Sequence, residues 1–385
     1  MKFLRDINVA DKRVLVRVDF NVSLDAGGNI TDDFKIRATL PTIKYLVAAG
    51  AKIILMSHLK ALDKNEKYSL KPVVERLTKL AGQEIRFVND CISEEAVQAA
   101  AGLKAGEILL LENLRFYKEE KENNEFFAKK LAALGEVYVN DAFAECHRDF
   151  TSSTVTITQF LPSYAGLLLE AEIKNLTKVR DQHEHPFCVI IGGAKISTKI
   201  KLIKSFLNKA DDIVLGGALA NTILHAKGIA VGKSIIEESM AAEFNNLEIT
   251  NTKLHLPLDA LVCADRDNMA TCHIGPVGFI QPGESILDIG FDSEKLFSNV
   301  IKTAKMVIWN GPMGLFENDF FAHGTRAIAE AITSSEAFSV VGGGETIAYL
   351  EKNGLADKFS FISTGGGAML KFLSGEAMPG IEALG

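Results

Sequence analysis

The residues able to do chemistry in this 385-residue chain gather just after short apolar runs. Five glycine-rich turns mark the second half: IIGGAK, VLGGALA, WNGPMG, VVGGGET and ISTGGGA. A Gly pair or triplet between strand and helix lets backbone N–H groups approach an anion, and the helix N-terminus adds favourable partial charge. One such turn is weak evidence, because tight strand–helix turns use glycine anyway. Five together point to a phosphate-bearing ligand. In GGAKISTKIK, Lys195 and Lys199 are four apart, a spacing that puts both on one helix face. Two ammonium groups there could neutralise a polyphosphate during phosphoryl transfer, or simply form a solvated face. Glu317 in WNGPMGLFE and Glu345 in GGGET are acids beside glycine turns, suited to a ribose hydroxyl or to Mg²⁺ near phosphates. Glu345 could equally occupy the first turn of a helix, where acids are favoured.

The first half presents side chains instead. Asp19 and Asn21 follow one buried run, His58 a second, Arg115 a third, and His147 with Arg148 a fourth. Four run ends carrying cationic or hydrogen-bonding groups imply a small polyanion with hydroxyls. Arginine suits carboxylate and phosphate because its planar fork engages both oxygens. In NDAFAECHRDF (140–150) the neighbours Cys146 and His147 raise a nucleophile–base pair or a metal site as rivals to an anion pocket. Nucleophile and base meet in space, not along the sequence, and neighbours on an extended segment point apart, which argues against a cysteine nucleophile. Cys263 and Cys272–His273 lack zinc-ligand spacing. GIAVGKS (228–234) resembles a P-loop, but it has three residues between its glycines where the motif needs four, and it follows a helix-like stretch; it reads as a helix-end loop. The absence of G-x-G-x-x-G counts against a dinucleotide site and a dehydrogenase.

The elements that must hold these groups alternate along the chain. RVLVRV (13–18), AKIILM (51–56), EILLL (107–111), VYVN (137–140), FCVII (187–191), DIVL (212–215), MVIW (306–309), FSVV (338–341) and FSFI (359–362) read as strands buried on both faces. Helix-like stretches such as TLPTIKYLVAAG and NEFFAKKLAALG lie between them. The pattern predicts an α/β protein with mostly parallel sheets and ligands at the carboxyl ends of strands. The boundary is expected near 161–175, where LPSYAGLLLEAEIKNL could start a connecting helix. A formal net charge of −7 argues against a nucleic-acid partner, and no apolar run approaches a membrane span. Five scattered cysteines without C-x-x-C, and an N-terminus lacking an apolar core, predict a reduced cytoplasmic protein.

Together these residues resemble the phosphoglycerate kinase family. RVDFNV (17–22), ATLPTIKYL (38–46), SHL (57–59), LLLENLRF (109–116) and VNDAF (139–143) are similar to its N-terminal half. GGAKISTK (192–199), LGGALANT (215–222), LPLD (256–259), WNGPMGLFE (309–317), VVGGGET (340–346) and STGGGA (363–368) are similar to its nucleotide half, and GEAMPGIEAL to its C-terminal tail. The resemblance implies two Rossmann-like parallel-sheet domains joined by a hinge helix. Residues 1–165 with the tail 370–385 would bind phosphoglycerate and 166–369 the nucleotide, with closure about the hinge excluding water.

The activity it implies is reversible phosphoryl transfer between ATP and the carboxylate of 3-phosphoglycerate, giving 1,3-bisphosphoglycerate and ADP. The nucleophile is then already ionised, so positioning and charge neutralisation carry the catalysis. Mg²⁺ would arrive with the nucleotide, no tightly bound cofactor is implied, and a monomer is expected. By resemblance, Asp19, Asn21, Lys35, His58, Arg115, His147 and Arg148 hold the acceptor. Gly193, Ala194, Lys195, Lys199, Gly216, Gly217, Asn310, Glu317, Gly342, Gly343, Gly344, Glu345 and Thr346 hold the nucleotide. Lys199, Lys35, Gly343 and Gly366 serve the transfer, and Glu345 faces the nucleotide's Mg²⁺.

The chain departs from the family pattern at four places. Lys35 stands where the family has arginine. The arginine of the family's S-H-L-G-R-P is replaced by Ala61 or deleted. Phe150 replaces a histidine beside an added Asp149, and Glu345 replaces aspartate. Three of these weaken one basic patch. They raise a second reading, in which the chain is a catalytically weakened paralogue acting as a nucleotide-binding or regulatory protein.

Overall fold

The computed structural model describes residues 1–60, 68–244 and 251–385. It divides into two compact units, Met1–Lys174 with Glu376–Gly385, and Asn175–Gly375.

In the first unit, β1 (Arg13–Arg17), β2 (Lys52–Met56), β3 (Ile85–Val88), β4 (Ile108–Leu111), β5 (Val137–Asn140) and β6 (Ser163–Ala165) form one sheet. Their order is β3-β4-β2-β1-β5-β6 and every pairing is parallel. On β1, Val14, Leu15 and Val16 are fully buried, as a central strand covered on both faces requires. Helix α1 (Phe34–Ala48) buries Ile36, Ile43 and Leu46 on the same core as Val14 and Ile53. The side chain of Asp141, just past β5, accepts from the amides of Leu168 (2.9 Å) and Leu169 (3.2 Å), at the start of helix α2 (Leu167–Asp181). Those are first-turn donors with no partner inside the helix. Helix α2 then runs through the boundary between the units at Lys174–Asn175. The C-terminal tail belongs to the first unit: Gly380 N donates to Cys146 O at 2.9 Å, and Asn140 Nδ2 donates to Gly380 O at 3.2 Å.

In the second unit, β7 (Phe187–Ile191), β8 (Asp212–Leu215), β9 (Leu254–His255), β10 (Asp259–Cys263), β11 (Cys272–Pro276), β12 (Ser285–Ile289), β13 (Met306–Asn310), β14 (Phe338–Gly342) and β15 (Phe361–Ile362) make two sheets. A parallel sheet runs β9-β8-β7-β13-β14-β15, and an antiparallel one runs β11-β10-β12. The nine strand readings all fall on parallel strands. The antiparallel sheet is not among them: β11 and most of β12 are partly exposed and carry no continuous apolar run, whereas β10, buried throughout, was missed despite its run ALVC.

One sequence expectation is corrected here. Cys263 and Cys272 form a disulfide, so the chain is not fully reduced; Cys91, Cys146 and Cys188 are free and buried. The antiparallel register sets Cys263 directly opposite Cys272 across β10 and β11. Cross-strand neighbours of this kind are invisible until the pairing is known. No described helix is long and apolar enough to cross a membrane.

Candidate active site

The carboxyl ends of β1, β2, β4 and β5 bring the first unit's polar residues together. Arg17 ends β1 and is fully buried. Its Nε donates to Ser153 Oγ (2.9 Å), its NH1 to Val18 O, and its NH2 lies 3.0 Å from His58 Nδ1. Ser153 Oγ in turn donates to Glu120 Oε1 at 2.6 Å, and burial pushes the Glu120 carboxyl up to about 7. Burial, then the charges of Arg17, Arg115, Lys35 and Arg148, hold the His58 pKa well below its ordinary value, so its ring is neutral at pH 7. Asn113 Oδ1 accepts from Leu59 N (3.2 Å) and Arg115 N (3.0 Å), which ties the β2 end to the β4 end. Lys35, in the first turn of α1, donates to Asp19 Oδ2 at 2.7 Å, and Asn21 N donates to Asp19 Oδ1 at 3.1 Å.

Arg115 NH2 and Arg148 Nε each donate at 3.1 Å to the carboxylate of Glu145, which is buried. Burial draws the Arg115 pKa down despite Glu145. Asp19, Lys35, His58, Arg115 and Arg148 thus lie in one cluster. His147 is half-buried beside Arg148, while Asp149 and Phe150 are exposed. The segment expected to lack the family arginine, at Ala61, falls outside the described residues. Two members of the cluster were missed by the sequence reading. Arg17 had a signal, a charge inside a strand buried on both faces, which must be paired. Glu145 had none, being one acid in a short turn between Ala144 and Cys146.

Cys146 is buried in a turn after a short 3₁₀ segment (Phe143–Glu145), not on the extended segment expected. Burial pushes its thiol up to about 12, so a nucleophilic thiolate is absent at neutral pH.

In the second unit, strand ends surround a cavity of about 560 Å³ lined by Gly193, Ala194, Gly217, Glu317 and Glu345, with apolar walls from Ile235, Ile286 and Leu315. The glycines permit this closeness. Gly193 has φ +78°, and a Cβ there would stand 2.8 Å from Lys199 Nζ; Gly217 has φ +61° and packs on Pro312 O and Gly193. A Cβ at Gly216 would strike Met313, so that glycine serves packing behind the cavity. Lys199 is 6% exposed, and burial pushes its pKa down to about 8, opposed by the charge of Glu345. Its ammonium donates to Gly192 O.

The shared helix face expected for Lys195 and Lys199 is corrected. The helix begins at Ile200, so Lys199 is its N-cap and Lys195 lies in an exposed turn. Glu237 Oε2 accepts from Ile196 N (2.8 Å) and Ser197 N (3.3 Å) in that segment. Asn310 Nδ2, at the end of β13, is buried without a hydrogen-bond partner, and a Cβ on Gly343 would lie 3.1 Å from it. An unpaired buried amide is costly unless a ligand completes it. Gly343 (φ +98°) is the N-cap of the helix Gly344–Lys352, which carries Glu345 in its first turn. Thr346 Oγ1 accepts from Gly311 N at 2.9 Å, and Gly342 ends β14. Gly366 (φ +49°) is the N-cap of Gly367–Leu373. The decoy GIAVGKS follows the helix Gly217–Ala226 as a loop, as read.

Residues 4–376 match the sequence family described as phosphoglycerate kinase. The chain belongs to the phosphoglycerate kinase family. It is 47% identical to "Phosphoglycerate kinase" of Moorella thermoacetica over 99% of this chain and 98% of that one. It is also 47% identical to "Phosphoglycerate kinase, cytosolic" of Triticum aestivum, over 99% and 97%. Among solved structures, the phosphoglycerate kinase of Pyrococcus horikoshii superposes with a TM-score of 0.90 at 32% identity, covering 100% of this chain and 98% of that one. That of Coxiella burnetii gives 0.84 at 35%, covering 99% and 98%. Membership makes the chain a phosphotransferase with a carboxyl acceptor, and nothing among these relatives favours the nucleotide-binding paralogue.

Proposed function

We propose that the first unit's cluster binds 3-phosphoglycerate, that the second unit's cavity binds ATP or ADP, and that Lys199 and Lys35 neutralise charge on the transferred phosphoryl group. The observation that carries this reading is Lys199, a buried ammonium for which the missing Cβ atoms of Gly193 and Gly311 make room, with Gly193 itself lining the cavity. Buried ammonium groups are costly, and an arriving phosphate offsets the cost.

The acceptor's carboxylate attacks the γ-phosphorus without a base. His58, neutral and held through Nδ1 by Arg17, orients the acceptor and removes no proton. Lys35 is held by Asp19 through its ion pair. The amides at the start of Gly344–Lys352 and the side-chain amide of Asn310 add donors for the nucleotide. Mg²⁺ belongs to the nucleotide substrate. Glu345 is the carboxylate assigned to face it, and no cluster of three or more His, Cys, Asp or Glu fit for a metal exists among the described residues. That donor set suits an ion held chiefly by phosphates and water. A cytoplasmic monomer is the expected working form, checked by light scattering and fractionation.

The test is a coupled assay with Mg-ATP and 3-phosphoglycerate. Turnover that requires both and vanishes with EDTA supports the assignment; no turnover above background from folded protein overturns it.

A further inference from the structure

One member of the acceptor cluster has the wrong sign for an anion site. Glu145 is 4% exposed, and its carboxylate collects the cluster's cationic side. Oε2 lies 3.1 Å from Arg115 NH2 and 3.9 Å from Arg17 NH2; Oε1 lies 3.1 Å from Arg148 Nε and 3.6 Å from His58 Nε2. Of these, Arg115, Arg148 and His58 are donors assigned to the acceptor. The turn that carries Glu145 is fixed, since Glu145 N donates to Ala142 O at 2.9 Å and the next residue, Cys146, accepts from Gly380 N at 2.9 Å. An incoming carboxylate or phosphate needs the same N–H groups, and an N–H bonded to one anion is withdrawn from another.

We propose that Glu145 is a built-in competitor for the acceptor. It occupies Arg115 and Arg148 in the free protein, and phosphoglycerate binds by taking those donors from it. The inference rests on the acceptor-site reading above. The carboxylate keeps three buried or half-buried guanidinium groups from repelling one another when no substrate is present, and it lowers acceptor affinity as a consequence. A purely supporting ion pair predicts the opposite sign: without Glu145 the arginines would splay and binding would weaken.

Isothermal titration with 3-phosphoglycerate decides between them. Glu145→Gln should lower the acceptor Kd by about tenfold or more, since one unit charge a few ångströms from a bound anion is removed. It should also steepen the salt dependence of acceptor binding and leave the KM for Mg-ATP within about twofold. Glu145→Asp keeps the charge, shortens the reach, and should tighten binding by a smaller factor, so it covers the case in which the neutral variant fails to fold. Unchanged or weaker acceptor binding in the folded variants overturns the proposal. Arg115→Ala separates the two readings. If it abolishes phosphoglycerate binding while Glu145→Gln does not tighten it, only the role of Glu145 falls. If Arg115→Ala leaves binding intact, the acceptor-site reading falls and the proposal with it.

Discussion

Replacing Lys199 by methionine should remove catalysis while leaving the free protein about as stable as before. Burial pushes this ammonium from 10.5 to about 8, a displacement that corresponds to roughly 3 kcal/mol borne by the unliganded fold. Methionine removes that burden. It also strips Gly192 O of its donor, and an unsatisfied buried carbonyl costs ~1–3 kcal/mol. The two effects nearly cancel, so urea unfolding at pH 7 should place the variant within about 2 kcal/mol of the parent. The pH dependence has a definite sign. The folded pKa lies below the unfolded one, so the burden is complete below about pH 8 and fades as pH rises towards 10.5. The parent should therefore gain on the variant across that interval. In the coupled assay, kcat should fall by ~10²–10³-fold, the size of losing one preorganised charge in a transition state. The parent's kcat/KM for Mg-ATP should decline above about pH 8 as free Lys199 loses its proton. A kcat within about tenfold of the parent, or a variant destabilised enough to explain its own inactivity, would refute the reasoning.

Three further outcomes follow from the geometry. Gly193→Ala places a methyl 2.8 Å from Lys199 Nζ at φ +78° and should raise the Mg-ATP KM more than about tenfold with phosphoglycerate binding unchanged, as read by steady-state kinetics and calorimetry. Lys35→Ala leaves Asp19 without its ion-pair partner and should raise the acceptor KM and lower kcat, each by about tenfold or more; an effect on the nucleotide KM alone would contradict its placement. Reducing the disulfide, or replacing both Cys263 and Cys272 by serine, frees a loop of nine residues' separation and should lower stability by ~2–3 kcal/mol in chemical denaturation. Because Cys263 and Asp265–Asp267 line the cavity proposed for the nucleotide, ADP affinity should weaken with it.

Legibility followed the physics of each feature. Strands such as FCVII were readable because burial on both faces demands an unbroken apolar run, whereas β11, half exposed and polar, left no such mark. The glycine turns were readable as places for close approach, yet Gly216 turned out to make room for Met313 and Gly193 for Lys199. Spacing put Lys195 and Lys199 on one helix face, yet the helix begins only at Ile200, and Glu237, more than forty positions downstream of Lys195, takes the amide of Ile196 in the segment before it.

By itself, then, the sequence determined the alternation of strand and helix, the family motifs and the residue types offered at the strand ends, because each depends on local burial and local backbone freedom. Only the tertiary structure decided which of those side chains face one another. Cys263 meets Cys272 through strand register, His58 loses its proton through burial beside Arg17, and Glu145 closes on Arg115 and Arg148 through the packing of two strand ends. Each is a contact or a field between residues distant in the chain or set by a fold-dependent turn, and neither composition nor periodicity carries that information.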